Sequence, residues 1–276
     1  MDYELPVLSR YRSIFQEKGI TILVSNPDFI GNTLNKKRFF SFCEDCDIPT
    51  PPVYLTWSAA PNDRKIVRKK IYSSAGAGFS IHESKAYLID FQEGSELIQD
   101  FIDAPEYGMD ILNDLRGNFL HAAFRRKIAM RSGETDKAEV VFSDFLMNLA
   151  KYISLQTRHI GNLDIDFLMN ASNDLWMLDF NPRFGGGYPF THLAGFDYLQ
   201  AIVDQLTGKP VQIPETGRAI IAMKGIQMVV MEKTSDTRHQ TPDIRHQTSD
   251  IRHKTSDIRH QTSDIRHQTP DIRHQT

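Results

Sequence analysis

Apolar positions along this chain change their period several times, and each change predicts an element. Leu5, Leu8, Arg12 and Phe15 follow helical spacing with Ile14 beside them, and "GITILVS" then reads as a short buried strand. "NTLNKKRFFSFCEDCDIPTPP" predicts a helix stopped by Pro49, Pro51 and Pro52. "RKIVRKKIYSSAGAGFSIHE" reads as strand, loop and strand. The runs "KAYLIDF", "ELIQDFI", "EYGMDIL" and "NFLHAAFRRKIAM" are strand-like, with turn chemistry between them. Val141, Phe145, Leu149 and Ile153, spaced four apart, predict a helix. "HIGNLDIDFLMN" and "DLWMLDF" predict a hairpin across "ASND". "FTHLAGFDYLQAIVDQLTG" predicts an amphipathic helix ended by Gly208, and "RAIIAMKGIQMVVM" a closing strand.

From Thr234 to Thr276 the pattern collapses into a seven-residue polar repeat: TSDTRHQ, TPDIRHQ, TSDIRHK and onward. One apolar position per unit is too few for a coiled coil, and prolines interrupt it. Such a unit buries too little surface to offset its ordering entropy, so a disordered tail is expected. Six of the chain's ten histidines fall there, which makes adventitious metal binding the reading for them rather than a designed site.

Composition then bounds the rest. The chain has 276 residues, of which 40% are hydrophobic, enough for a real core in the part that precedes the repeat. A formal net charge of −3 argues against a polyanion-binding surface, so no nucleic-acid partner is expected. No apolar run approaches the roughly 18 residues of a membrane helix, and "MDYELPVLSRYRS" lacks a signal pattern. A cytoplasmic protein with no membrane partner is the expectation. Cys43 and Cys46 form a CxxC late in a helix-like segment with acids between them. Zinc would need further ligands and redox pairs favour helix N-termini, so two reduced helix cysteines are the favoured reading.

The chemistry concentrates in "DLWMLDFNPRFGGGYPF". Asp179 and Asn181 are two apart and project from one face of a strand, and Asp166 reaches that face from the partner strand. Hard oxygen ligands of this kind suit Mg2+, which keeps several waters and completes its shell with substrate phosphate. Arg183 would sit beside such a phosphate. A polar strand end leading into a turn would use the same residue types. "IVRKKIYSSAGAG" places a lysine at a strand end before a small-residue loop whose backbone can approach phosphate, although it is neither a Walker A nor a GxGxxG motif. In "LIQDFIDAPEYGMD", Gln99 and the following backbone can meet a purine edge, and Glu106 can reach ribose hydroxyls; an ordinary edge strand and turn is the alternative.

Together these elements resemble the ATP-grasp superfamily, in the branch of carbamoyl-phosphate-synthase-like and carboxylate–amine ligases, from about Tyr3 to Val230. "NKKRFFSFCEDCDIPTPP" resembles that branch's "DK … GIPTP" segment and puts Lys36 at its first phosphate-contacting lysine. "VRKKIYSSAGAG" resembles "VKPxxGSGSxG" and puts Lys69 at the strand lysine, with Arg68 as runner-up. Gln99, Phe101, Ile102 and Glu106 fall on the adenine hinge and ribose carboxylate, and Asp166, Asp179, Asn181 and Arg183 on the metal and phosphate cluster.

The resemblance implies an α+β chain: an ATP-grasp fold of two α+β subdomains with ATP between them, preceded by a remnant of a Rossmann-like domain. The boundaries expected are 1–32 for the remnant, 33–92 and 93–233 for the two subdomains, and 234–276 for the tail. It implies an ATP- and Mg2+-dependent ligase, with Mn2+ as an alternative ion, that phosphorylates a carboxylate to an acyl phosphate for attack by an amine or other nucleophile. Lys69 and Arg183 take the catalytic roles. The alternative is a nucleotide-binding relative without activity. Arg125 and Arg131 would face an anionic substrate, or form a solvated strand face. Aspartate stands at position 179 where the family usually has glutamate, Ser73 and Ala75 thin the glycine loop, and little of the preceding domain is seen. A homodimer, or a separate chain supplying that half, is therefore expected among the partners, beside small-molecule carboxylate and amine substrates.

Overall fold

The computed structural model describes residues 2–72 and 78–225. The small-residue loop, the end of the predicted closing strand and the repeat tail lie outside them. The chain opens with helices α1 (Leu5–Arg10), α2 (Arg12–Glu17), α3 (Pro27–Leu34) and α4 (Lys36–Asp45). Two antiparallel sheets follow. The first has the order β1-β4-β2-β3, formed by β1 (Val53–Tyr54), β2 (Ile66–Lys70), β3 (Phe79–His82) and β4 (Glu96–Asp100). The second has the order β10-β7-β6-β5-β8-β9. Its strands are β5 (Glu106–Asn113), β6 (Phe119–Arg131), β7 (Glu134–Val141), β8 (Gly161–Met169), β9 (Leu175–Asn181) and β10 (Ile221–Met223). Between β7 and β8 runs α5 (Asp144–Thr157), and between β9 and β10 run α6 (Tyr188–Leu193) and α7 (Tyr198–Leu206).

Local chemistry explains where this departs from the pattern read along the chain. The helix expected across "NTLNKKRFF" is two. Asn35 adopts an extended conformation between them, and its side chain accepts the Arg38 N–H at 3.0 Å as an N-cap, so Lys36 opens α4. Gly195, at φ +108, likewise divides the expected C-terminal helix into α6 and α7. "GITILVS" forms no strand among the described residues; Val24 is buried while Ile20 and Leu23 face outward, and no neighbouring ladder is present to pair it. "KAYLIDF" forms a 3-10 turn at Lys85–Tyr87, because the Lys85 ammonium turns inward onto the carbonyls of Ala60 (2.5 Å) and Trp57 (3.2 Å).

The larger sheet has two unlike faces. On one, Met109, Ile111, Ile165, Phe167 and Met177 pack against α4 and α5 through Phe39, Leu146, Ala150 and Ile153. Of the expected stripe, Ile153 is buried and Leu149 packs against the core, while Val141 belongs to β7 and Phe145 points to solvent, leaving Leu146 and Ala150 in the inward positions. The other face carries Glu106, Gly108 and Asp110 on β5, Asp164 and Asp166 on β8, and Asp179 and Asn181 on β9. Toward Leu112 that face is covered by Tyr188, Phe190 and Tyr198. Toward Glu106 it opens.

Phe180 is 1% exposed and meets Phe39 edge to face at 5.1 Å, tying α4 to β9. Phe180→Ala is expected to destabilise the protein by about 3–5 kcal/mol. Urea unfolding monitored by circular dichroism checks this, and a loss under 1 kcal/mol would contradict the packing described.

Candidate functional site: a cleft between two sheets

The chain passes from the smaller sheet to the larger one through Phe101–Pro105, between β4 and β5. Beside this crossing lies a cleft of about 770 Å³. One wall is a single face of the smaller sheet. Gln99, Val67 and Ile81 stand opposite one another across β4, β2 and β3, and Lys69 faces Phe79 one step along. The other wall comes from Glu106, Asp166, Leu168, Leu178 and Asp179 of the larger sheet. Lys36, Phe101 and Ile102 also line it.

Eight of the residues singled out from sequence thus meet in one cavity: Lys36, Lys69, Gln99, Phe101, Ile102, Glu106, Asp166 and Asp179. Arg68 lies on the opposite face of β2, where its guanidinium pairs with Glu96 at 2.7 Å. Asn181 and Arg183 are not on the cleft lining. Arg183 donates to the Asp2 carboxylate at 2.5 and 3.3 Å and to the Asn181 side-chain oxygen at 3.3 Å. Arg125, read as a candidate for an anionic substrate, is instead 1% exposed and donates to Asp110 and Asp164, each at 2.5 Å. Arg131 is exposed and pairs with Asp136 at 2.7 Å.

Strand register explains the acid cluster. Asp166 stands directly opposite Asp179, and Asp164 opposite Asn181. The register slips between Asp166 and Phe167, leaving Leu178 as an extra residue on β9 that lines the cleft. A bulge of this kind re-aims side chains at a sheet rim. The glycines after Arg183 answer to steric need. A Cβ at Gly185 would run into the Asp164 carboxylate, and one at Gly187 into the Arg125 guanidinium. Gly108, on β5 between them, would place a Cβ 2.6 Å from the Arg125 Nε.

The electrostatics divide cleanly. Lys36 Nζ sits 3.4 Å from Asp179. Burial, reinforced by the neighbouring Lys36 charge, brings the Lys69 pKa down to about 8, although Asp179 and Glu106 pull the other way. Burial raises the Asp179 pKa, with Lys36 opposing and Asp166 adding to the rise. The Gln99 amide nitrogen is buried with no hydrogen-bond partner among the described residues, and it lines the cleft. An unsatisfied buried donor of this kind fits an acceptor on a ligand. Cys43 is buried, and its thiol pKa is pushed up by burial, in keeping with an inert helix cysteine.

Among the described residues no three His, Cys, Asp or Glu side chains stand close enough to cage a metal by themselves. The carboxylates on the cleft lining nearest one another are Asp166 and Asp179, and Asn181 follows on the same face of β9, its side-chain oxygen accepting from Arg183. That set suits Mg2+, which keeps water and takes the rest of its shell from phosphate, rather than an ion held by protein alone.

Sequence reasoning missed several residues that line the cleft or hold its lining in place. Lys127 reaches across β5 to Glu106 (2.7 Å) and Asp166 (2.5 Å). Phe79 and Ile81, exposed apolar side chains on an alternating strand, form a slab beside Lys69. The alternation in "FSIH" carried that signal; nothing local carried the Lys127 contact.

The comparisons with known proteins agree with this architecture. A family model described as ATP-grasp in the biosynthetic pathway with Ter operon matches residues 93–234, just over half of the chain. The chain belongs to the ATP-grasp family. It is 22% identical over 219 residues to the arginine-specific large chain of carbamoyl phosphate synthase from Halalkalibacterium halodurans, covering 71% of this chain and 21% of that one. The corresponding protein of Geobacillus stearothermophilus is 24% identical over 237 residues, covering 75% and 22%. The chain therefore spans about a fifth of the length of these curated relatives. The ADP complex of an N5-carboxyaminoimidazole ribonucleotide synthetase superposes with a TM-score of 0.63 at 13% identity, over 77% of this chain and 61% of that one. Among the described residues no helix is long and apolar enough to cross a membrane.

The lowered Lys69 pKa has a measurable sign. Between about pH 8 in the folded state and the ordinary lysine value near 10.4, the unfolded chain binds the extra proton, so stability rises with pH across that window. Lys69→Met removes this gain. Denaturation of both proteins at pH 7.5 and pH 10 checks it: the stability difference in favour of Lys69→Met should shrink at the higher pH. An unchanged difference would contradict the burial of Lys69.

Proposed function

We propose that the cleft binds a magnesium-bound nucleoside triphosphate, and that the protein is an ATP-dependent ligase that activates a carboxylate as an acyl phosphate for attack by an amine or another nucleophile. The observation that carries this reading is the meeting of two lysines, an unsatisfied Gln99 amide, Glu106 and a pair of opposed aspartates in one cavity between two sheets. Its support is chemical. A flat base fits between the apolar side chains of Val67, Ile81 and Leu168, with Gln99 and the Phe101–Ile102 backbone at its edge. Glu106 accepts from ribose hydroxyls. Lys36 and Lys69 contact phosphate oxygens, and each has reason to: a second positive charge lies close by, which an anion relieves.

Asp166, Asp179 and Asn181 are the residues to hold Mg2+, which when bound offsets phosphate charge. Mn2+ is an alternative ion. On this reading the Lys69 ammonium donates hydrogen bonds to the transferring phosphoryl oxygens and offsets the charge that develops there, keeping its proton. Arg183 adds a second cation once released from Asp2. The proposed subdomains are residues 33–92 and 93–233, with β4 of the smaller sheet falling in the second, and 1–32 are proposed as a segment apart from both. A cytoplasmic location suits a substrate such as ATP.

A second reading is a nucleotide-binding relative without transfer activity. One observation favours it: Arg183 is held by Asp2 and is off the cleft lining.

Titration calorimetry with a non-hydrolysable ATP analogue, with and without Mg2+, tests the principal reading. Saturable binding that tightens with Mg2+ is expected. Lys69→Ala should weaken it by about 10- to 100-fold, the worth of a charge-assisted hydrogen bond of about 1.5–3 kcal/mol. Equal binding by Asp179→Ala and the parent, with Mg2+ present, would overturn the metal assignment. Release of ADP from ATP with a panel of carboxylates separates the two readings.

A further inference from the structure

Lys127 holds two acids of the cleft lining from behind, and the nucleotide reading gives it no role. It stands on β6, and β5 lies between it and Asp166. Its amino group nevertheless reaches Asp166 Oδ1 at 2.5 Å and Glu106 Oε1 at 2.7 Å, with the side chain only 4% exposed. Both acids that Lys127 bridges line the cleft. The two carboxylates enclose the ammonium from both sides.

The neighbouring pair is looser. Lys36 meets Asp179 at 3.4 Å, and Asp179 is 30% exposed. Aspartate also reaches one methylene less far than the glutamate the family pattern favours at this position. The geometry narrows the Mg2+ set proposed above: Asp166 and Asp179 are equally exposed, at 30%, but Asp166 already has an ammonium at 2.5 Å whereas the one beside Asp179 is at 3.4 Å. At the other carboxylate, Asp166, a positive charge is already installed.

Resting on the nucleotide reading above, we propose that the Lys127 ammonium is a built-in substitute for a second divalent cation: it sits between Asp166 and Glu106 where such an ion would bridge acid and nucleotide, and it limits the cleft to a single metal. An ammonium at 2.5–2.7 Å from two carboxylates supplies one positive charge without the dehydration that Mg2+ resists. Removing it leaves two partly buried carboxylates uncompensated, and a divalent ion is the available replacement.

The experiment counts metal. Mn2+ bound per chain is measured by electron paramagnetic resonance with saturating non-hydrolysable ATP analogue, while calorimetry on the same samples measures the nucleotide. The parent is expected to bind one Mn2+ per nucleotide, Lys127→Met two, and Lys127→Arg one. Two Mn2+ in the parent, or one in a folded Lys127→Met that still binds nucleotide, overturns the proposal and leaves the nucleotide reading intact. Absence of nucleotide binding by the parent overturns both. Should Lys127→Met fail to fold, Lys127→Gln, which keeps length and polarity without charge, carries the same expectation, and the parent count stands as a test by itself.

Discussion

A buried guanidinium sets the terms for this molecule. Arg125 has nowhere to send its charge except Asp110 and Asp164, which hold it from two neighbouring strands. A charge so buried is costly unless paired and hydrogen-bonded. Removing either acid leaves an uncompensated ion, and crowding the guanidinium displaces it. This explains why Gly108 and Gly187 stand against it and why Asp110 also accepts from Thr191 and Asn162. The network locks β5, β6 and β8 in register with the start of α6, and that register aims Glu106, Asp166 and Asp179 at the cleft.

From this base the polar face of the larger sheet grades from tightly paired to open. Under α6 and α7, Asp110 and Asp164 share one buried arginine. At the rim the pairing loosens, from Lys127 with two short contacts to Lys36 with one long one. Lys69 and the Gln99 amide are left with least compensation of all. The gradient is what a ligand site requires: a rigid paired floor with charges above it that an incoming anion and its cation can complete.

Much of this was legible along the chain because the cleft's main parts are local. A lysine at a strand end, an amide before a crossing, and acids two apart on a strand all follow from period-two geometry. The register of Asp166 against Asp179 followed from a short hairpin. What escaped was long-range or sterically conditional. Along the chain Arg125 reads as facing an anionic substrate or solvent, and nothing there singles out Asp110 or Lys127. Arg125 and Lys127 each pair with one acid on the adjacent β5 and with a second on β8, two strands away, and only the sheet order brings that second partner within reach. Helix boundaries failed for the opposite reason: Asn35 and Gly195 break helices through caps and backbone conformations that apolar spacing does not register.

Hydrogen–deuterium exchange with and without Mg2+ and a non-hydrolysable ATP analogue tests the central claim most directly, because it reports where the ligand sits. The account predicts slowed exchange confined to the crossing at Phe101–Pro105, to β2 and β3 around Lys69, and to β9 at Asp179–Asn181, with α7 unchanged. Saturating nucleotide that leaves those three segments at their free rates would contradict it.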